Sequence, residues 1–161
     1  MATLVTGGAG FVGSNIVKIL AERGHRVVCF DLTPAAALLK RYLGPWAENV
    51  TFVQGDILNM KDLRRVESQN PIDKIVHAAV FTPSRAGDME TERSRDIVNI
   101  NIGGTVNLLE MASSASLKRF LYVSSEAVYG DPPAGGALVN EDTPLRPRNL
   151  YAVSKHASEL L

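Results

Sequence analysis

The sequence predicts an α/β fold, a doubly wound parallel sheet of strand order 3-2-1-4-5 with helices on both faces. Three observations carry that expectation. Short apolar runs alternate with segments of helical periodicity along the 161 residues, and the links between runs are too long for hairpins; this requires parallel pairing through right-handed crossovers. The eight residues Thr6-Gly7-Gly8-Ala9-Gly10-Phe11-Val12-Gly13 stand between the first apolar run and the first helical pattern. Four marked stretches, the glycine turn, Asp31, Asp56-Ile57 and Ala78-Ala79, all fall at strand carboxyl ends, the edge at which such a sheet binds its ligand.

In order, Ala2 to Val5 reads as the first strand and Phe11 to Arg23 as the first helix, stopped at Gly24. Val27-Val28-Cys29-Phe30 is the second strand and ends at Asp31. Pro34 to Leu43 is helix-prone and stops at Gly44-Pro45. Val50 to Val53 is the third strand, leading into Gly55-Asp56-Ile57, and Met60 to Ser68 carries apolar residues at helical spacing up to the break at Asn70-Pro71. Ile75-Val76-His77-Ala78-Ala79 is the fourth strand and its exit. Phe81 to Glu92 has poor periodicity and reads as an excursion at the ligand end of the sheet. From Arg93 to Ser113 apolar residues recur at helical intervals, making this the longest helix, weakened locally by Gly103-Gly104. Phe120 to Val123 is the fifth strand and leads into Ser124-Ser125. Asp131 to Arg148 is rich in Pro and Gly, and a final helix begins near Asn149.

Length and 45% apolar content suit one domain with a proper core. Seventeen basic and seventeen acidic side chains cancel without a basic stripe, which argues against nucleic acid or an anionic membrane as partner. The first strand begins at residue 2, leaving no room for a signal peptide, and no apolar run approaches ~18 residues; a soluble, cytoplasmic protein is expected. The single cysteine, Cys29, reads as a small core residue. His25, His77 and His156 show no metal-ligand spacing, so no metal site is expected.

The glycine turn suits a phosphate. Glycines at every third position let a strand bend sharply into a helix whose N–H groups and dipole favour an anion, and the expected ligand is the pyrophosphate of a dinucleotide. Asp31 lies close to the ~20-residue offset at which an acid meets a ribose hydroxyl. Its charge would repel a 2′-phosphate and no arginine follows it directly, so NAD is expected over NADP. Tyr151 and Lys155, at i and i+4, share one helix face. A neighbouring ammonium favours the phenolate and lowers a pKa that is otherwise near ~10, and Ser125, at the end of strand five, is placed to hydrogen-bond the same substrate oxygen.

With these pieces in place the sequence resembles the extended short-chain dehydrogenase/reductases, which include NAD-dependent nucleotide-sugar epimerases and dehydratases. The matching segments are Thr6 to Gly13, Gly55-Asp56-Ile57, His77-Ala78-Ala79, Asn101-Ile102-Gly103-Gly104-Thr105, Val123 to Gly130 and Tyr151 to Lys155. The resemblance implies a Rossmann fold with Gly7, Gly10, Phe11, Val12 and Gly13 at the pyrophosphate and Asp31 on the adenosine ribose. Asp56 and Ile57 would flank the adenine, and Ala78, Ala79, Val80 and Asn101 would line the middle of the cofactor. It further implies that Ser125 and Tyr151 handle the substrate while Lys155 holds the nicotinamide ribose. In the implied chemistry Tyr151 removes a hydroxyl proton as hydride passes to NAD, and return of hydride to the opposite face gives an epimer. His77 reads as a strand-end packing residue, Ala78-Ala79 also suit close packing, and Asn101 also suits a solvent-facing helix position.

Two departures bear on the reaction. Glu126-Ala127 stands where sugar 4,6-dehydratases carry an Asp-Glu pair, which ranks dehydration below epimerisation or oxidation. The stretch from Thr82 to Arg95 lacks the Ser, Pro and Tyr pattern of many nucleotide-sugar epimerases. The resemblance also implies a longer protein, with residues 1–161 as its NAD-binding and catalytic part, the C-terminal substrate domain absent, and a homodimer formed by the helices of Arg93 and Tyr151. The expected partner is a small-molecule substrate, foremost a nucleotide sugar. A free sugar acid or other hydroxyl compound is the alternative, and a non-catalytic NAD-binding module the third possibility.

Overall fold

Five short strands, β1 (Ala2–Thr6), β2 (Val27–Asp31), β3 (Val50–Gln54), β4 (Ile72–His77) and β5 (Arg119–Tyr122), form one parallel sheet of order β3-β2-β1-β4-β5. The computed structural model describes residues 1–33, 36–82, 89–114, 117–131 and 138–161. The register aligns Val5 with Cys29 and Val76, and Cys29 with Phe52. All five residues of β1 are buried, because a central parallel strand is covered on both faces and therefore reads as a continuous apolar run.

The chain divides into two compact units. The first, residues 1–80 and 104–123, holds the whole sheet with helices α1 (Phe11–Glu22), α2 (Ala36–Leu43) and α3 (Met60–Gln69). Val17 and Ala21 of α1 and Leu39 and Leu43 of α2 pack with Val5, Val27, Cys29 and Val50 on one face. Gly24, at φ +77°, ends α1 in the left-handed conformation, its N–H reaching Ala21 O at 3.0 Å. A 3-10 turn, Gly44–Asn49, carries the chain on into β3. Asn59 caps α3 by accepting the Lys61 N–H at 3.0 Å.

Two expectations are corrected here. The fourth strand starts at Ile72, ahead of the apolar run, since buried Asp73 is paired with Lys118 Nζ at 3.0 Å; that hydrogen bond holds its carboxyl below the usual carboxylate range. The expected long helix from Arg93 is present from Ser94 to Ser114 but is not α-helical throughout. After the short helices α4 (Met89–Glu92) and α5 (Ser94–Asp96), residues Ile97–Gly103 form a π-helix, and a regular helix, α6 (Gly104–Ser114), begins only at Gly104. A Cβ on Gly104 would strike the Ile57 side chain. α6 belongs to the first unit and packs against α3.

The second unit, residues 81–103 and 124–161, holds the π-helix, a 3-10 turn at Glu126–Tyr129 and the last helix, α7 (Leu150–Glu159). Asn149 caps α7 by accepting the Ala152 N–H at 2.8 Å. Its buried face, Ala152, Ser154, Lys155 and Ser158, packs on the π-helix. Residues 34–35, 83–88 and 132–137, within the expected second helix, excursion and Pro/Gly-rich stretch, lie outside the described residues. Among the described residues no helix is long and apolar enough to cross a membrane.

Candidate functional site

The glycine turn after β1 is a cradle that side chains would fill. Gly7 has φ +64°, and a Cβ there would stand 2.6 Å from Ala79 Cα. A Cβ on Gly13 would strike the Gly7 carbonyl oxygen, and one on Gly8 would stand 2.7 Å from Cys29 Sγ. The start of α1 is left as bare peptide. Gly10 caps the helix with no side-chain hydrogen bond and no acidic residue lies in the first turn, so no side chain of the helix itself occupies the N–H groups from Gly10 onward. Phe11 and Val12 point outward, 89% and 49% exposed. The residues present therefore fit a pyrophosphate.

Asp31 is built into the rim of this cradle. Its Oδ2 accepts the Ala9 N–H at 3.0 Å and its Oδ1 the Thr33 N–H at 3.1 Å, which orients the carboxylate and leaves lone pairs for hydroxyl donors. The neighbouring Cys29 thiol is fully buried and pushed up to about 12 by burial and then by the Asp31 charge, so it stays a protonated packing group. Past β3, Asp56 Oδ1 accepts the Leu58 N–H at 2.8 Å while the Asp56 N–H donates to Asp62 Oδ2 at 3.1 Å. Ile57 is buried, and Asn107 Nδ2 donates to its carbonyl at 3.0 Å. At the exit of β4 the Ala78 N–H donates to Thr6 O at 3.2 Å and the Ala79 N–H to Thr6 Oγ1 at 3.3 Å, with Val80 exposed beyond them. His77 is buried, its ring nitrogens 2.7 Å from Thr6 Oγ1 and 3.1 Å from Thr105 Oγ1, in keeping with a packing role.

The remaining residues singled out from sequence belong to the second unit. Ser125 caps the 3-10 turn, accepting the Ala127 N–H at 3.2 Å and donating to Glu126 Oε2 at 3.2 Å. Ser124 Oγ is buried without a hydrogen-bond partner in the structure. Tyr151 is half-buried in the first turn of α7, and Lys155, one turn later, is 3% exposed. Burial lowers the Lys155 ammonium to about 8, with Glu159 pulling weakly the other way. Asn101 is buried, not solvent-facing: its Oδ1 accepts the Phe81 N–H at 2.7 Å, and its Nδ2 donates to Phe81 O at 3.1 Å and Ser154 Oγ at 2.9 Å. Ser158 Oγ donates to Asn101 O at 3.0 Å.

Several supporting residues escape a reading of the chain by motif. Thr6 and Thr105 fall inside the matching segments, but their shared bonds to His77 do not show along the chain, whereas Asn107 joins segments far apart in sequence and carries no local signal. Ser154 and Ser158 had one: with Tyr151 and Lys155 they repeat at helical spacing. Among the described residues no group of three or more His, Cys, Asp or Glu is placed to hold a metal ion.

Comparison with known proteins gives a consistent picture. Residues 3–161 match the model of the NAD dependent epimerase/dehydratase family. The chain is 36% identical to a 3-beta-hydroxysteroid dehydrogenase of Mycolicibacterium neoaurum, covering 97% of this chain and 41% of the relative. It is 35% identical to a UDP-glucose 4-epimerase of Neisseria meningitidis, covering 88% and 41%. The structure superposes on the UDP-glucose 4-epimerase from Bifidobacterium longum, solved with NAD+ and UDP, with a TM-score of 0.85 at 28% identity, covering 99% of this chain and 47% of that one. The chain thus spans less than half the length of these three proteins.

Proposed function

Since the chain belongs to the NAD dependent epimerase/dehydratase family, whose cofactor is NAD, we propose that residues 1–161 supply the NAD-binding and proton-transfer part of an epimerase or dehydrogenase. In this reading the pyrophosphate lies on the N–H groups around Gly10 to Gly13, Asp31 holds the adenosine ribose, and Asp56 and Ile57 flank the adenine. Ala78, Ala79, Val80 and Asn101 line the middle of the cofactor, and Lys155 holds the nicotinamide ribose. Bound NAD supplies a hydride acceptor. Tyr151 Oη takes the proton of the substrate hydroxyl, and Ser125 Oγ hydrogen-bonds the same oxygen.

The observation that carries the reading is Lys155, a buried amine lowered to about 8 and placed one helical turn after a phenol. Burying an ammonium is costly, and such groups concentrate where chemistry needs them. The epimerase relatives support a nucleotide sugar as substrate. The hydroxysteroid dehydrogenase at 36% identity supports a second reading, net oxidation of another hydroxyl compound. A homodimer and a cytoplasmic location belong to the same proposal.

Incubation with NAD and either a UDP-hexose or a 3β-hydroxysteroid separates the two, because oxidation accumulates NADH and epimerisation yields a new sugar without it. Tyr151→Phe should abolish both products while NAD binding persists. Turnover unchanged in that variant would remove Tyr151 from the mechanism.

A further inference from the structure

The turn proposed to hold the pyrophosphate is poorly anchored by its own side chains: Phe11 is 89% and Val12 49% exposed. Two polar side chains of the next turn of α1 reach its first carbonyl. Phe11 O accepts Asn15 Nδ2 at 2.7 Å as well as Ser14 Oγ at 3.1 Å. The Asn15 amide is oriented in turn, since its Oδ1 accepts the Tyr42 hydroxyl at 2.8 Å across 27 positions of sequence. Tyr42 is 43% exposed, but its helix is seated by Leu39 and Leu43, both buried in the core, and Lys18 Nζ lies 4.4 Å from its ring centroid.

We propose that Asn15 and Tyr42 are positioning residues for the pyrophosphate-binding end of α1, setting the direction of its N–H groups through the Phe11 carbonyl. Neither touches the cofactor. A chain of two hydrogen bonds runs from α2 to the first turn of α1, and it pre-organises that turn for a diphosphate. The proposal rests on the reading of the glycine turn as the NAD site.

The test is calorimetric titration of the 161-residue protein, wild type, Tyr42→Phe, Asn15→Ala and the double variant, with NAD, ADP and adenosine, alongside thermal unfolding without ligand. Each single variant should lose about three- to tenfold in affinity for NAD and for ADP, the range of one net hydrogen bond. The double variant should lose no more than Asn15→Ala, adenosine affinity should hold, and the unfolding midpoint should stay within about 2 °C. Unchanged NAD and ADP affinity in Tyr42→Phe overturns the proposal. So does an equal loss toward adenosine, which would mean general loosening, or fully additive losses in the double variant. A wild-type protein that binds neither NAD nor ADP instead overturns the reading of the turn itself.

Discussion

The Asp31 carboxylate is hydrogen-bonded to the glycine turn itself, its Oδ2 accepting the Ala9 N–H at 3.0 Å. The end of β2 and the bend after β1 are therefore one unit, and an anion bound on the bend and a hydroxyl bound by the acid would be held in fixed relation. Asp31→Asn keeps an oxygen for Ala9 but loses the charge. Affinity for NAD should fall by about tenfold or more, the size of a charge-assisted hydrogen bond, and discrimination against NADP should narrow. Parallel titrations with the two dinucleotides check this.

Glycine chemistry at the turn gives a second test. Gly13→Ala sets a methyl group against the Gly7 carbonyl oxygen, and Gly7→Ala adds a left-handed φ to a 2.6 Å approach to Ala79 Cα. Each should cost about 1–3 kcal/mol of stability and remove measurable NAD binding. Gly24→Ala is the control. A Cβ there meets nothing within 4 Å, so it should cost only about 1 kcal/mol of backbone strain and leave NAD binding intact.

Two buried titrating groups oppose each other at alkaline pH. Lys155 gives up its proton near 8 in the folded protein but near 10.5 when unfolded. Between those values the unfolded chain binds more protons, and stability rises with pH. Cys29 moves the other way, from 9.0 to about 12 on folding; the unfolded chain then binds fewer protons above pH 9 and stability falls. Urea unfolding should show a gain of about 1 kcal/mol from pH 8 to 9 that flattens above it. Lys155→Met should abolish the gain, and Cys29→Ala should let it continue toward pH 10.5.

Asn101 ties Phe81 to Ser154 through three hydrogen bonds of its amide. Asn101→Leu leaves the Phe81 N–H without its acceptor beside an apolar side chain. The expected cost is about 2–3 kcal/mol, read as a lower midpoint in thermal unfolding. Asn101→Asp keeps the acceptor but turns a second oxygen toward Phe81 O, and should destabilise to a similar degree.

Much of this molecule was legible along the chain. Strand order, parallel pairing and the bend at Gly7 to Gly13 follow from local codes: apolar period, glycine placement and connection length act over a few residues. The positions of Asp31, Asp56 and Ala78 at strand ends follow from the same codes. By contrast, the start of β4 at Ile72 depends on Asp73 meeting Lys118, and the switch from π-helix to α-helix coincides with Gly104 lying against Ile57.

The amino-acid order by itself determined where the five strands fall, in what order they pair, and where the glycine turn bends β1 into α1. Tertiary structure alone decided that Asn101 is buried as a clamp and that Tyr42 reaches Asn15. It also decided that Lys155 is buried deeply enough for its ammonium to be lowered to about 8. The physical reason is the same in each case. Burial and long-range hydrogen bonds are properties of what packs around a group, and no periodicity in its neighbours along the chain encodes them.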